Sequence, residues 1–240
     1  MTASPFSLWV YLSQTPLLWL TVTLVVYALA DALSQASGRN PLLNPVLHAL
    51  WVIGVFLHLT GTPYQVYFGG AQFVHFLLGP VTVALAVPLY ENRRVVRRAL
   101  VAMLLALVVG SATAVSSVVV LAELVGLPRD IVLSLAPKSV TAGVAMGISE
   151  TLGADPALTA VAVILTGIMG AIVVTPMMNR LGITDFRARG FAAGLASHGI
   201  GTARAFQVDE LAGTFAGIAM SLNALVTSLL VPLAVTLLVR

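Results

Sequence analysis

Eight apolar runs follow one another along this chain, over 16–36, 42–60, 73–90, 99–122, 131–150, 157–179, 190–206 and 213–239, with short polar connections between them. About 20 apolar residues in a helix span the hydrocarbon core of a bilayer, so most of these runs are long enough and 190–206 is marginal. No water is present in that core to satisfy backbone groups, so runs of this length cross it as helices. The expected fold is therefore all-α, a polytopic helical membrane protein with about seven to eight membrane segments. No long polar linker or low-complexity stretch interrupts the pattern, and a single integral membrane domain over 1–240 is expected.

Composition closes off the alternatives. Only 9% of residues are charged, against about a quarter in a soluble domain. The absence of cysteine excludes disulfides, thiolate metal sites and cysteine nucleophiles. The net charge of +3 comes from arginines clustered between apolar runs, which is how cytoplasmic loops are marked rather than how a nucleic-acid surface is built. The first residues, MTASPFSLWVYLSQTP, lack a basic signal region and are expected to be retained, with 5–12 as a short interfacial segment. No Ser/His/Asp order, P-loop or dinucleotide fingerprint is present. No catalytic residue, cofactor or metal is therefore assigned, and His48, His58 and His75 have no ligand partners at helical spacing.

Arginine placement constrains the topology. Arg93, Arg94, Arg97 and Arg98 form one cluster, and Arg180, Arg187 and Arg189 a second. Both belong on the cytoplasmic face. Three apolar runs lie between them, and three crossings would separate them, so one run must enter and leave on the same side. The run 131–150 is the one chosen, because Pro137 and Lys138 stand at its centre. As a re-entrant hairpin it also places Arg39 inside, and Asp155, Asp209 and Glu210 outside.

Lys138 is the only lysine. A charge at membrane depth costs roughly 2.5–3.5 kcal/mol on insertion scales and usually faces a partner or a wet cavity. With Pro137, Ser139 and Thr141 it forms a broken, site-forming stretch in which the ammonium suits a carboxylate. The structural alternative is an ion pair to Glu150 or snorkelling to an interface. A second stretch, Ser197-His198-Gly199-Ile200-Gly201-Thr202-Ala203-Arg204, puts a titratable imidazole and a guanidinium beside two helix-weakening glycines. Unwinding at Gly199 and Gly201 would expose amides to an anion that Arg204 grips; alternatively Arg204 serves a helix end. Glu150 closes the 131–150 segment or, like His198, couples a proton. Asn44 between prolines reads as a helix start, Asn223 and Thr227 as interhelical hydrogen-bonding residues, and Gly213 and Gly217 as a packing face. Small or polar residues recur in LLGPVTVALAVPL (77–89), LAPKSVTAGVAM (135–146) and LASHGIGTARAF (195–206), an echo pointing to interrupted helices in an inverted repeat.

The stretches NPLLNPVL (40–47), FLLGPVTVALAVPLY (76–90), LAPKSVTAGVAMGIS (135–149), ALTAVAVILTGIMGA (157–171) and ARGFAAGLASHGIGTARA (188–205) resemble the LrgB/CidB family. That family includes YohK-like inner-membrane proteins and the C-terminal part of the plant plastidic glycolate/glycerate translocator. The family pattern after PKSV carries Thr-Pro and an Ala-Met-Glu-Ile-Ser run; here stand Ala142-Gly143 and Gly147, with Glu150 one turn later. The resemblance implies one of two functions. Bacterial members are described as antiholin-like or holin-like proteins that modulate murein hydrolase export and autolysis, beside a small LrgA/CidA-type membrane protein. Others are associated with movement of glycolate, glycerate or pyruvate. Buried basic residues at broken helices favour the second, secondary transport of a small monocarboxylate in the bacterial cytoplasmic (inner) membrane. Membrane lipid surrounds the chain, and a homo-oligomer is a further candidate assembly.

Overall fold

A computed structural model describes residues 15–77, 80, 83, 84 and 86–238, the side chains of His75, Ala86, Pro88 and Leu89 aside. The interfacial segment at 5–12, Arg240 and much of 77–89 lie outside the described residues, and with them the first stretch of the threefold echo. Every regular element among the described residues is helical. The chain packs as two compact units, one ending at Ala86 and the other beginning at Val87.

In the first unit, α1 (Pro16–Ala36), α2 (Pro45–Thr60) and α3 (Tyr64–Phe76) pack through α1. Trp19 of α1 is fully buried and meets Phe56 and Tyr67 edge-on. Gly70 lets α3 reach α1, since a Cβ there would stand 2.2 Å from the Pro16 carbonyl oxygen. Asn44 does start α2, its side chain accepting from the amides of Val46 and Leu47. The helix at the start of the run expected over 73–90 begins earlier: α3 (Tyr64–Phe76) starts directly after Pro63; α4 covers Ala86–Glu91, and 78, 79, 81, 82 and 85 lie outside the described residues. Proline presets the first helical turn and weighs more at this boundary than the hydropathy of the aromatic stretch that follows.

In the second unit, α5 (Arg93–Val125), α8 (Pro156–Arg180), α9 (Phe186–Val208) and α10 (Glu210–Leu238) surround two short helices, α6 (Arg129–Leu135) and α7 (Ala142–Thr151). Helices α1, α5, α8 and α10 are long and apolar enough to cross a membrane. The N-caps follow local chemistry: the Asp155 carboxylate accepts from Ala157 and Leu158 amides ahead of Pro156, and Asp185 accepts from the Arg187 amide. Asp185 also takes hydrogen bonds from the Arg187 guanidinium, which holds its carboxyl below the usual value. Gly126, at φ 77°, closes α5 with a left-handed cap. Core layers then form where α5, the short helices and α10 meet (Val119, Val132, Val231) and where α5, α9 and α10 meet (Leu107, Phe191, Phe215).

Candidate functional site

The run 131–150 is not one helix. Pro137 lacks an amide for the helical ladder, and the backbone instead turns through i→i+3 bonds, Lys138 N–H to Leu135 and Val140 N–H to Pro137. The α6 and α7 arms have 7 and 10 residues. At 1.5 Å per residue they rise about 10 and 15 Å, well short of a core about 30 Å thick. Both arms are tied to the start of α8, where the Thr159 hydroxyl lies 2.9 Å from the Ser134 carbonyl and 2.8 Å from the Ser149 hydroxyl. The Ser134 hydroxyl also accepts from the Asp155 amide at 3.1 Å. The segment therefore doubles back, and its turn at 136–141 reaches into the middle of the second unit.

There it meets a second interruption. Within α9 the backbone leaves helical geometry at Ser197 (φ −133°, ψ 17°) and His198 (φ 42°, ψ −133°). The break was expected at Gly199 and Gly201, yet both of these are helical, and a non-glycine residue takes the positive φ. Such a backbone costs on the order of 1–3 kcal/mol and persists where its surroundings over-determine it. The surroundings here are two glycines of α8. A Cβ on Gly170 would lie 1.6 Å from the Ser197 hydroxyl, and one on Gly167 would lie 2.7 Å from the His198 ring. The imidazole Nε2 donates to the Val163 carbonyl at 2.9 Å, so it carries a proton. Gly201 serves close approach instead, because its Cβ would stand 2.5 Å from the Ala193 carbonyl oxygen.

Asn223 of α10 joins the two interruptions. Its amide nitrogen donates to the Ser139 carbonyl in the hairpin turn and to the Leu195 carbonyl just before the α9 break. Its carbonyl oxygen accepts from Ser111 of α5 at 2.6 Å and from Thr227 at 3.0 Å. Sequence spacing placed Asn223 and Thr227 in an interhelical network but did not show that the network binds both broken segments.

A cavity of about 400 Å³ opens beside this junction, of a size that small-molecule sites have, roughly 300–1,000 Å³. Lys138, Ser139 and Ser197 line it, with Thr166 and Gly170 of α8 facing them. Ser139 and Ser197 are buried, with exposures of 5% and 1%. Among the described residues, neither hydroxyl and no part of the Lys138 ammonium has a hydrogen-bond or ion-pair partner, and both hydroxyl oxygens open onto accessible space. Glu150 is exposed at the far end of α7, so the ion pair between Lys138 and Glu150 that the sequence allowed is not made. The other expected residues are distributed differently. Pro137 and Thr141 shape the turn, His198 and Thr202 hold the α9 break, and Gly199 faces open space save for Met220. Arg204 is buried but lines a separate pocket of about 20 Å³ with Arg189 and Gly190. Sequence reasoning did not single out Gly167, Gly170 or Thr166. The only available signal was the one-turn spacing of two glycines in an apolar helix, which commonly marks close packing.

Comparison with known proteins identifies a family. The pattern of the LrgB-like family matches residues 23–237. A protein of Staphylococcus epidermidis named holin-like protein CidB is 32% identical over 220 residues, 92% of this chain and 96% of that protein. Two Bacillus subtilis proteins of unassigned role are also similar. YwbG is 35% identical over 87% of this chain and 92% of its own, and YxaC 36% over 82% and 86%. No solved structure matches.

Proposed function

Since this chain belongs to the LrgB-like family, an integral bacterial membrane protein and not an enzyme, we propose that it is a secondary transporter of small monocarboxylates of the glycolate, glycerate and pyruvate class. One observation carries the reading. The half-buried Lys138 and the hydroxyls of two largely buried serines, none with a partner among the described residues, line the same cavity where two interrupted membrane segments meet. A charge at membrane depth costs roughly 2.5–3.5 kcal/mol on insertion scales and usually faces a partner or a wet cavity, so Lys138 with two hydroxyls open to the same space implies an anionic occupant. No carboxylate among the described residues lines the cavity. A single anionic headgroup therefore completes it, with Lys138 supplying the countercharge and Ser139 and Ser197 donating to the oxygens. A dicarboxylate would bring a second charge with no partner.

The name of the Staphylococcus epidermidis relative favours a second reading, a holin-like protein acting with a small LrgA/CidA-like membrane partner. The two separate in proteoliposomes. Saturable exchange of labelled pyruvate, competed by glycolate and glycerate but not succinate, and lost in Lys138→Met with the folded protein still inserted, supports transport. Non-saturable leakage of unrelated solutes, unchanged in Lys138→Met, supports the holin-like role and removes the transporter.

A further inference from the structure

The cavity is not polar throughout. The α8 residues that line it include Thr166, Met169, Gly170, Val173, Met177 and Met178, which recur at three- and four-residue spacing and make one stripe along the helix, open at Met169, Val173 and Met177. Ser197 sits against Gly170, so the hydroxyls and Lys138 gather at the Thr166 end of that stripe. From Gly170 to Met177 the lining from α8 carries no polar side chain, and α9 faces it with Ala192, Ala193 and Ala196. At 1.5 Å per residue this apolar trough is on the order of 10 Å long. A two-carbon acid bound at Lys138 would leave it empty, and a polyhydroxylated acid would turn hydroxyls toward thioethers and methyls, where they find no partner.

We infer that the trough is a tail-binding subsite, and that the preferred substrates are monocarboxylates carrying an unsubstituted alkyl chain of several carbons, head at Lys138 and tail along Val173 and Met177. The inference rests on the transporter reading and moves its preferred substrates beyond the glycolate, glycerate and pyruvate class, which would engage the head site alone, to longer alkyl acids. Methionine is unbranched and polarisable, so Met177 and Met178 can follow tails of different length. Each methylene transferred from water into such a lining is worth up to about fourfold in affinity.

Titration calorimetry of the purified full chain at constant pH with acetate, butyrate and hexanoate, and with glycolate and glycerate, tests this. Heats measured with Lys138→Met serve as the baseline for partitioning into detergent. The dissociation constant is expected to fall about threefold per methylene from acetate to hexanoate, with butyrate at least tenfold tighter than glycerate. Val173→Thr and Met177→Ser, both at accessible positions, are expected to flatten that slope and leave acetate unchanged. Glycerate binding as tightly as butyrate, a flat series, or a slope untouched by both substitutions would overturn the tail subsite while leaving Lys138-dependent carboxylate binding in place. Absence of binding by every acid would overturn the subsite and the transporter reading together.

Discussion

The two interrupted segments meet at one cavity but are broken by different means. In the hairpin, a proline and a six-residue turn separate two short arms, and the interruption is written into the local sequence. In α9 no proline is present and only Ser197 and His198 depart from helical geometry. That break is imposed from outside, by room on Gly167 and Gly170, by the bond from His198 to Val163, and by the Asn223 amide on the Leu195 carbonyl. A locally encoded break tolerates changes around it, whereas one held by neighbours depends on their shape.

Membrane topology gives the largest contrast. The chain has no cysteine, so single cysteines at Arg129 and Thr151 flank the hairpin, and at Thr184 and Glu210 flank α9. An impermeant thiol reagent is expected to label 129 and 151 from the same face, and 184 and 210 from opposite faces. Labelling of 129 and 151 from opposite faces would mean that the hairpin crosses, and the parity of the arginine clusters would then be lost.

Glycine substitutions sharpen the comparison next. Gly194 lies where a Cβ would be 2.0 Å from the Ala216 carbonyl oxygen, a backbone contact that no rotamer relieves. Gly194→Ala is expected to destabilise by about 3 kcal/mol, at the top of the range for overpacking or above it. In the hairpin, Gly147 has nothing within 4 Å of its would-be Cβ, and Gly147→Ala is expected to raise stability by roughly 0.5–1 kcal/mol. Thermal unfolding in detergent measures both, and equal effects would remove the distinction between the two regions. Asn223→Leu is expected to cost about 1–2 kcal/mol, given that membrane hydrogen bonds average about 0.6 kcal/mol each. If Asn223 holds the α9 break, hydrogen exchange at residues 195–199 should rise more than at 129–135; a uniform rise would assign it to general packing.

Much of the helical plan was legible because its causes are local. Apolar runs, Asn44 between prolines at a helix start, and the arginine clusters all act within a turn or two of themselves. The same holds for Pro137, which marks the hairpin in any context. The start of α3 was missed because hydropathy obscured the signal of Pro63.

What the sequence by itself determined is thus an all-helical membrane protein with an interrupted segment around Lys138, since charge cost and missing amides belong to single residues. The rest was settled by tertiary structure. The α9 break falls at Ser197 and His198 because helix α8, some thirty residues earlier in the chain, presents glycines there. Lys138 and Ser197 share a cavity, and Arg204 lines another pocket, because of how α8, α9 and the hairpin turn pack. Contacts between residues far apart in sequence have no periodicity to read, so only the packed structure decides which polar groups face the same space.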